Sequence, residues 1–479
     1  MQAAIKARVE KKEGSKSSIS HRTFQINVAN QLVPSELIGD KSNQQALISG
    51  WARLVTRLAV VSDEIATQQQ QTIPETSYDE LVSSPSPELI RRIRQCGSVV
   101  IHGTVPQNQV AMSFLILPKA LKWLEETKEY IKLNPRVKGF PEDDKQVYEV
   151  YWSKPQQEAR SHPQMIKTQA ALLGIFTAPP QCQVSLTTPL VYADRLRIRT
   201  PGDATFALGP HMDGGSIERW EDLSYRKVYE KILQGRWEEF DAWDIENRTN
   251  AIQDLYPGPG STGVFRSWQG WTSLSETGPN EGTLLVYPFI KEHTAYLLMR
   301  PLFKPKHERS EFKDDKDFLA PDNWELDFES TNFPGSPPYR NQELNDETHP
   351  HLELLRTMVR MPKVYPGDSV WWHSDVIHAV ESKHQGKIPA SVFYIPAVAL
   401  TARNAEYIRD QRATFHSGRP APDFPGGTGE SDFVSRGTGD DLLTVEGREG
   451  MGLVPFQLTD GLSEGELQVR KAANAILGF

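Results

Sequence analysis

The sequence is poor in cysteine and contains no long hydrophobic run. Cys96 and Cys182 are the only cysteines among the 479 residues, which excludes a disulfide framework and a CxxC metal pair. No window approaches the roughly 20 apolar residues that a membrane-spanning helix needs. The N-terminal stretch MQAAIKARVEKKEGSKSS has no apolar core of the kind found in secretory signals. We therefore expect a cytoplasmic protein that does not interact with membranes.

Positive charge does not exceed negative charge in this chain. Its 53 Lys and Arg residues stand against 62 Asp and Glu residues, which gives a formal net charge of −9. Proteins that bind nucleic acid usually carry a basic field, and nothing in this balance supplies one. We expect a small-molecule substrate and no nucleic-acid partner.

The chain is predicted to begin with helices and to continue with short strands. Apolar residues recur at helical spacing in the first part. Later segments are rich in β-branched and aromatic residues and are separated by Gly and Pro, as in a sandwich or barrel. The predicted divisions of one integrated domain are a flexible leader at 1–30, a helical layer at 31–180, a β core at 181–400 with insertions at 217–255 and 303–350, and a C-terminal loop and helices at 401–479.

Residues 209–216, GPHMDGGS, place two metal-binding side chains close together. On a strand the side-chain period is two, so His211 and Asp213 would project from the same face and could share a divalent metal. Gly214 and Gly215 would leave room for a ligand to approach. A surface turn is the alternative interpretation of this short motif.

A third metal ligand is predicted in the stretch YPGDSVWWHSDVIHAVESKHQGK. Of its histidines His373, His378 and His384, His378 follows an apolar run, where an uncompensated polar group would be costly. Two histidines and one carboxylate form the facial triad of non-haem Fe(II) oxygenases. A hydrogen-bonded core histidine is the alternative for His378.

These elements resemble the phytanoyl-CoA-dioxygenase-like branch of the Fe(II)/2-oxoglutarate oxygenases, and in particular its YbiU-type proteins. The resemblance covers about residues 95–400. It is carried by three elements in order: His211-Met-Asp213, the stretch from Trp271 to Leu284, and Gly367-Asp368 through His378. The stretches with this resemblance are YADRLRIR, LGPHMDGGSIERW, FRSWQGW, GPNEGTL and GDSVWWHSDVIH.

The resemblance implies a mainly β fold, a double-stranded β-helix or jelly roll of cupin type packed against the N-terminal helices. It also implies Fe(II) held by His211, Asp213 and His378, with 2-oxoglutarate and O2 as co-substrates. A small metabolite would be hydroxylated with release of succinate and CO2. The arginine-rich strand would suit an anionic metabolite. Asp368 and Asp375 would be candidates for hydrogen bonding to the metal-binding histidines.

The cation that would hold the far carboxylate of 2-oxoglutarate is not settled by the sequence. The family places an Arg about ten residues beyond the second histidine, but here Lys387 stands nine residues after His378, with Ser391 four further on. The strand DRLRIR offers Arg195 and Arg197 instead, if its arginine face is internal rather than solvated. Trp271, Ser273 and Gln269 are candidates for lining the pocket.

Two further expectations concern the substrate and the reaction class. Gln157 and Arg160, in the segment YWSKPQQEARSHP, could reach over the pocket, although such a segment is more often a structural cap. A cupin-like metal hydrolase or isomerase, a non-enzymatic ligand-binding descendant, and an oxygenase with a protein substrate are the alternatives. The acidic balance favours a small molecule.

Overall fold

The computed structural model describes residues 41–107, 109–112, 115–205, 207–256, 262–327, 333–336 and 342–479. The predicted leader at 1–30 and parts of the predicted insertion at 303–350 lie outside these residues. The α-helices are α1 Lys41–Gln68, α2 Tyr78–Ser83, α3 Pro87–Cys96, α4 Lys119–Leu133, α5 Lys154–Arg160, α6 Pro163–Leu173, α7 Glu218–Glu221, α8 Leu223–Val228, α9 Glu230–Leu233, α10 Ile290–Met299, α11 Asp315–Phe318, α12 Leu354–Thr357, α13 Ala402–Ser417, α14 Val445–Gly450 and α15 Glu464–Leu477.

The strands are mostly short. They are β1 Glu75–Ser77, β2 Ser98–His102, β3 Gln109–Met112, β4 Leu115–Pro118, β5 Gly139–Phe140, β6 Val147–Tyr148, β7 Ser185–Leu190, β8 Leu196–Arg199, β9 Trp268–Ser273, β10 Leu284–Val286, β11 Phe303–Pro305, β12 Trp324–Leu326, β13 Val359–Arg360, β14 Ser369–His373, β15 His378–Val380, β16 Ala390–Tyr394 and β17 Val398–Leu400. The fold is therefore a mixed α/β one, with more helix than the expected mainly β chain.

The predicted helices of the first part form because their apolar residues share one side. In α1, Trp51, Leu54, Leu58, Val61 and Ile65 are buried at spacings of three and four, so the helix packs one stripe on the core. Helix α3 starts with a proline after a serine cap and ends at a left-handed glycine.

A large mixed sheet forms the centre of the molecule. Its strand order is β1-β2-β14-β9-β16-β8-β6-β5. The β1–β2 pair is parallel and the other pairs are antiparallel. A second sheet has the order β13-β10-β15. Residues of both sheets belong to one hydrophobic core that also includes side chains from α1, α3 and α10.

The C-terminal segment builds a second hydrophobic cluster. Strand β17 pairs with β7, and both contribute buried residues to a cluster completed by α13 and α15. For the loop and helices predicted at 401–479, the structure has the helices α13, α14 and α15. Between α13 and α14 the chain contains one short 3-10 helix, Gly439–Asp441.

Candidate metal centre

Three metal-binding side chains from distant parts of the chain meet beside β15. One ligand atom from each of His211, Asp213 and His378 lies within 4.8 Å of the others. His211 Nε2 is 3.5 Å from Asp213 Oδ1, and His378 Nε2 is 3.8 Å from Asp213 Oδ2. The geometry predicted from the sequence is thus present in the structure.

Backbone hydrogen bonds orient both imidazoles in the same way. The Nδ1 atom of His211 bonds the carbonyl of Gly209 at 2.8 Å, and that of His378 bonds the carbonyl of Val376 at 3.0 Å. A carbonyl only accepts, so each Nδ1 carries the proton. The Nε2 atoms that face Asp213 are then available as lone-pair donors.

The three groups titrate away from their usual ranges. Burial, reinforced by the charge of His211, lowers the pKa of His378 to about 4. Burial also acts to lower the pKa of His211, but the hydrogen bond and charge of Asp213 outweigh it and raise that pKa. Burial would raise the pKa of Asp213, whereas the two imidazoles and Arg266 hold it well below its usual range. An ionised carboxylate and a neutral His378 suit a divalent cation.

The two glycines after Asp213 serve the packing of the insertion at 217–255. Gly214 and Gly215 both have positive φ angles, of 91° and 90°. A Cβ on Gly214 would lie 3.1 Å from Tyr225 Oη, and one on Gly215 would clash with the Glu218 carboxylate. The space that the sequence suggested for a ligand is therefore filled by the protein itself.

A buried charged cluster ties this insertion to the strand that carries His378. Asp375 accepts a 2.6 Å bond from Arg248 Nη2 and a 2.8 Å bond from Tyr229 Oη. Arg219 lies 3.5 Å from the same carboxylate and also donates to the backbone carbonyl of Asp213. Arg219 thus links Asp375 to the backbone of Asp213, and the bonds of Asp375 described here do not involve a ligand imidazole.

One face of the large sheet looks towards the triad. The Trp372 ring packs against His378 with ring centroids 5.3 Å apart. Register pairs Trp372 with Gln269 and Val370 with Trp271, so these side chains share that face. Gln269 and Trp271 are each 5 % exposed. Trp372 is a site residue that the sequence reasoning did not identify.

The same register puts Arg197 on the site-facing side and Ser391 on the other. Arg197 pairs with Val392, and Val392 pairs with Ser273 on β9. Ser391 alternates with Val392 and therefore points away from the triad. Arg197 is buried, at 7 % exposure. Ser391 is not placed to bind a ligand of the metal centre.

The other predicted cations are placed differently. Lys387 is exposed in the turn between β15 and β16, where it does not provide a buried cation. Arg195 pairs with Asp194 at 3.1 Å and lies over the Phe424 ring at 4.6 Å. Arg199, the third arginine of DRLRIR, forms a buried 2.7 Å ion pair with Asp203.

Gln157 and Arg160 are structural rather than surface-reaching residues. Both side chains are buried and have backbone partners. Gln157 donates to the carbonyl of Tyr151, and Arg160 donates to the carbonyls of Tyr151 and Asp194. Burial lowers the pKa of Arg160 to about 10. The substrate contacts of these two residues stay a prediction. The cap interpretation describes this segment.

The remaining predicted polar residues have backbone roles. His373 bonds the carbonyl of Ala242, and His384 bonds that of Ile388, so neither joins the triad. Asp368 accepts from His102 and stabilises a turn. A further residue was missed by the sequence reasoning: Arg266 lies 3.3 Å from Asp213 Oδ2, and only its place at the start of FRSWQGW signalled it.

Comparisons with known proteins give consistent relatives over nearly the whole chain. Residues 27–453 match a family model described as Gig2-like. The uncharacterized protein YbiU of Escherichia coli K12 is 29 % identical over 414 residues, which cover 84 % of this chain and 90 % of YbiU. The crystal structure of GlcNAc Inducible Gene 2 (GIG2) from Candida albicans is 31 % identical, covers 94 % of both chains and has a TM-score of 0.81. The hypothetical protein JW0805 of Escherichia coli is 28 % identical with a TM-score of 0.70, over 87 % of this chain and 94 % of that one.

Proposed function

The chain belongs to the Gig2-like family, and on that premise we propose that it is a non-haem Fe(II) enzyme that uses 2-oxoglutarate and O2 to oxidise a small molecule. The observation that carries this proposal is the triad of His211, Asp213 and His378, whose ligand atoms lie within 4.8 Å of one another. None of the described helices is long and apolar enough to cross a membrane.

The donor set fits a first-row transition metal, and iron is the one that the oxygenase proposal requires. Two imidazoles and one carboxylate that leave other positions open are the facial arrangement of Fe(II) oxygenases, whereas Mg²⁺ and Ca²⁺ prefer oxygen ligands. When bound, iron and 2-oxoglutarate supply the oxidative decarboxylation that yields succinate and CO2 and oxidises the substrate. The protein's part is to hold the ligands, exclude water and place the substrate.

The path of the chain supports a double-stranded β-helix around this centre. Strands β9, β14 and β16 belong to the large sheet, and β10 and β15 belong to the small one, so the chain passes repeatedly between the two. His211 adds to the free edge of β15 by pairing with His378. The metal ligands would then lie between two sheets, at one end of the roll.

Arg197 is the cation that best fits the far carboxylate of 2-oxoglutarate. Arg197 and Trp372 lie on the same, site-facing side of the large sheet. Along the strand direction Arg197 is level with Ser273 of β9, whereas Trp372 pairs with Gln269, four residues earlier on β9. At about 3.3 Å per residue this is about 13 Å along the strand, and the three strand spacings between β8 and β14, at about 4.8 Å each, add about 14 Å across the sheet. Contact between Arg197 and a co-substrate at the triad therefore requires the sheet to curve around the centre. The Arg197 guanidinium can form a fork on a carboxylate.

The substrate is proposed to be small because the metal ligands are nearly enclosed. His211 and His378 are only 4 % and 5 % exposed, so a bulky chain would not reach them. Arg195 and Arg266 both lie beside Asp194, and Arg266 also bonds Asp213, so carboxylates balance their charges and the anionic character of the substrate stays a prediction.

The proposed function is tested by coupled product analysis. The purified protein is incubated with Fe(II), 2-oxoglutarate, O2 and a metabolite extract, and succinate formation is measured. Asp213→Asn should abolish it. Glu466→Gln, which alters another arginine-paired carboxylate of similar exposure far from the triad, should not. Conversion of a metabolite that needs the metal but neither O2 nor 2-oxoglutarate, and that forms no succinate, would instead indicate a metal hydrolase or isomerase.

A further inference from the structure

Arg266 is the cation next to the carboxylate of the triad. Its Nη2 atom lies 3.3 Å from Asp213 Oδ2, and its Nη1 atom lies 3.9 Å from Asp194 Oδ2. The guanidinium stands over the Tyr192 ring, 5.6 Å from its centroid. The Arg266 side chain is 14 % exposed, so these contacts fix most of its surface.

The two oxygens of Asp213 have different surroundings. Oδ1 lies 3.5 Å from His211 Nε2. Oδ2 receives the hydrogen bond from Arg266 and lies 3.8 Å from His378 Nε2. A carboxylate with one oxygen held by a guanidinium has the other oxygen oriented and available as a single metal ligand.

We infer that Arg266 is a positioning residue that makes Asp213 bind the metal through one oxygen only. The inference rests on the proposed metal centre and adds to it the reason why coordination positions stay open. An unrestrained carboxylate can take up two positions on a metal, which would leave fewer for co-substrate and O2.

The surroundings of Arg266 show how its own position is fixed. The Tyr192 hydroxyl donates to Asp423 Oδ2 at 3.0 Å, and the backbone N–H of Gly263 donates to Asp423 Oδ1 at 2.7 Å. Tyr192 is therefore held in place beneath the guanidinium by the segment before β9 and by the C-terminal segment. A flat guanidinium can stack on this ring and donate a hydrogen bond to Asp213 at the same time. An ammonium group makes this combination of contacts less well.

The test is a titration of the full-length, metal-stripped protein with Co²⁺, followed by calorimetry and by visible absorption. Arg266→Gln should bind Co²⁺ with an altered affinity, because the orientation of Asp213 and the positive charge beside the metal are lost together. Its absorption spectrum should change, because the second oxygen of Asp213 becomes free to coordinate. Arg266→Lys should fall between wild type and Arg266→Gln in affinity.

The matched control is Arg470→Gln. Arg470 is 9 % exposed and pairs with Glu466 at 2.9 Å, so the variant loses a comparable ion pair away from the triad. It should keep the wild-type affinity and spectrum. If Arg266→Gln does not fold, Arg266→Lys carries the test by the same two readouts. A folded variant with wild-type affinity and spectrum overturns the inference alone, whereas a wild-type protein that binds no Co²⁺ overturns the proposed function with it.

Discussion

His211 and His378 exchange both of their backbone hydrogen bonds. The N–H of each donates to the carbonyl of the other at 2.9 Å, the pattern of a directly opposed antiparallel pair. Opposed residues project to the same side of a sheet, and their ring centroids are accordingly 4.2 Å apart. The backbone pairing thus brings the two imidazoles side by side.

Arg197 is predicted to determine the affinity for 2-oxoglutarate. Arg197→Gln removes a charge-assisted contact worth about 1.5–3 kcal/mol, so the KM for 2-oxoglutarate should rise about 10- to 100-fold. Succinate release at varied 2-oxoglutarate concentration measures it. Lys387→Gln is the comparison, since Lys387 is exposed and its loss should leave the KM unchanged. A KM that follows Lys387 and not Arg197 would contradict this assignment.

Asp375 is predicted to be among the most stability-sensitive carboxylates of the chain. Burial would raise the pKa of Asp375, but the charge of Arg248 outweighs burial and lowers it, so the group is ionised. Asp375→Asn leaves two buried arginines without their anion and should lower the free energy of unfolding by about 3–5 kcal/mol. Denaturant unfolding measures the loss. Asp432→Asn, which breaks the exposed pair with Arg136, should cost less than about 1 kcal/mol.

His102 is predicted to make stability fall at alkaline pH. Its imidazole lies between Asp368 and Glu75, each at 3.0 Å, and the hydrogen bond to Asp368 is the main reason that the pKa of His102 rises from 6.5 to about 9. The stabilisation is complete below pH 6.5 and is lost as the pH rises through 9. Because His102 is 38 % exposed, solvent screening limits the effect to about 1 kcal/mol or less. When the melting temperature is measured as a function of pH, wild type should show this alkaline decrease and His102→Gln should not. An identical decrease in the variant would exclude His102 as its source.

Glu430 is predicted to act in the opposite direction, at lower pH. It is buried among the N–H groups of Tyr151 and Trp152 and the hydroxyl of Tyr130. Burial raises the pKa of Glu430 from 4.5 to about 7. The folded state then holds a proton that the unfolded state releases, so stability should fall by on the order of 2–3 kcal/mol between pH 4.5 and 7. Chemical unfolding of Glu430→Gln over this range should show no such fall, and an equal fall in the variant would rule Glu430 out.

Sequence patterns predicted the elements whose signals are local. The helical layer predicted at 31–180 contains α4 and α6, whose apolar residues recur at helical spacing. Gly214 and Gly215 were expected to leave room for a ligand, but residues of the insertion at 217–255 fill that space. No local sequence pattern indicates this contact.

The three residues of the candidate metal centre were predictable from the sequence and their neighbours were not. His211, Asp213 and His378 carry their chemistry in their residue types, and their order resembles a known family. Lys387 and Ser391 were inferred from spacing, yet strand alternation and the turn after β15 direct them away from the triad. Arg266 and Trp372 act through register and long-range packing, for which the sequence has no periodic signal.

The proposed metal centre binds one divalent ion through His211, Asp213 and His378. Calorimetric titration of the metal-stripped protein with Mn²⁺, an O2-stable substitute for Fe(II), measures this directly. Wild type should bind one ion per chain, Asp213→Asn should bind at least about 100-fold more weakly because a charged ligand is lost, and Glu466→Gln should match wild type. Binding of equal affinity and stoichiometry by wild type and Asp213→Asn would contradict the account.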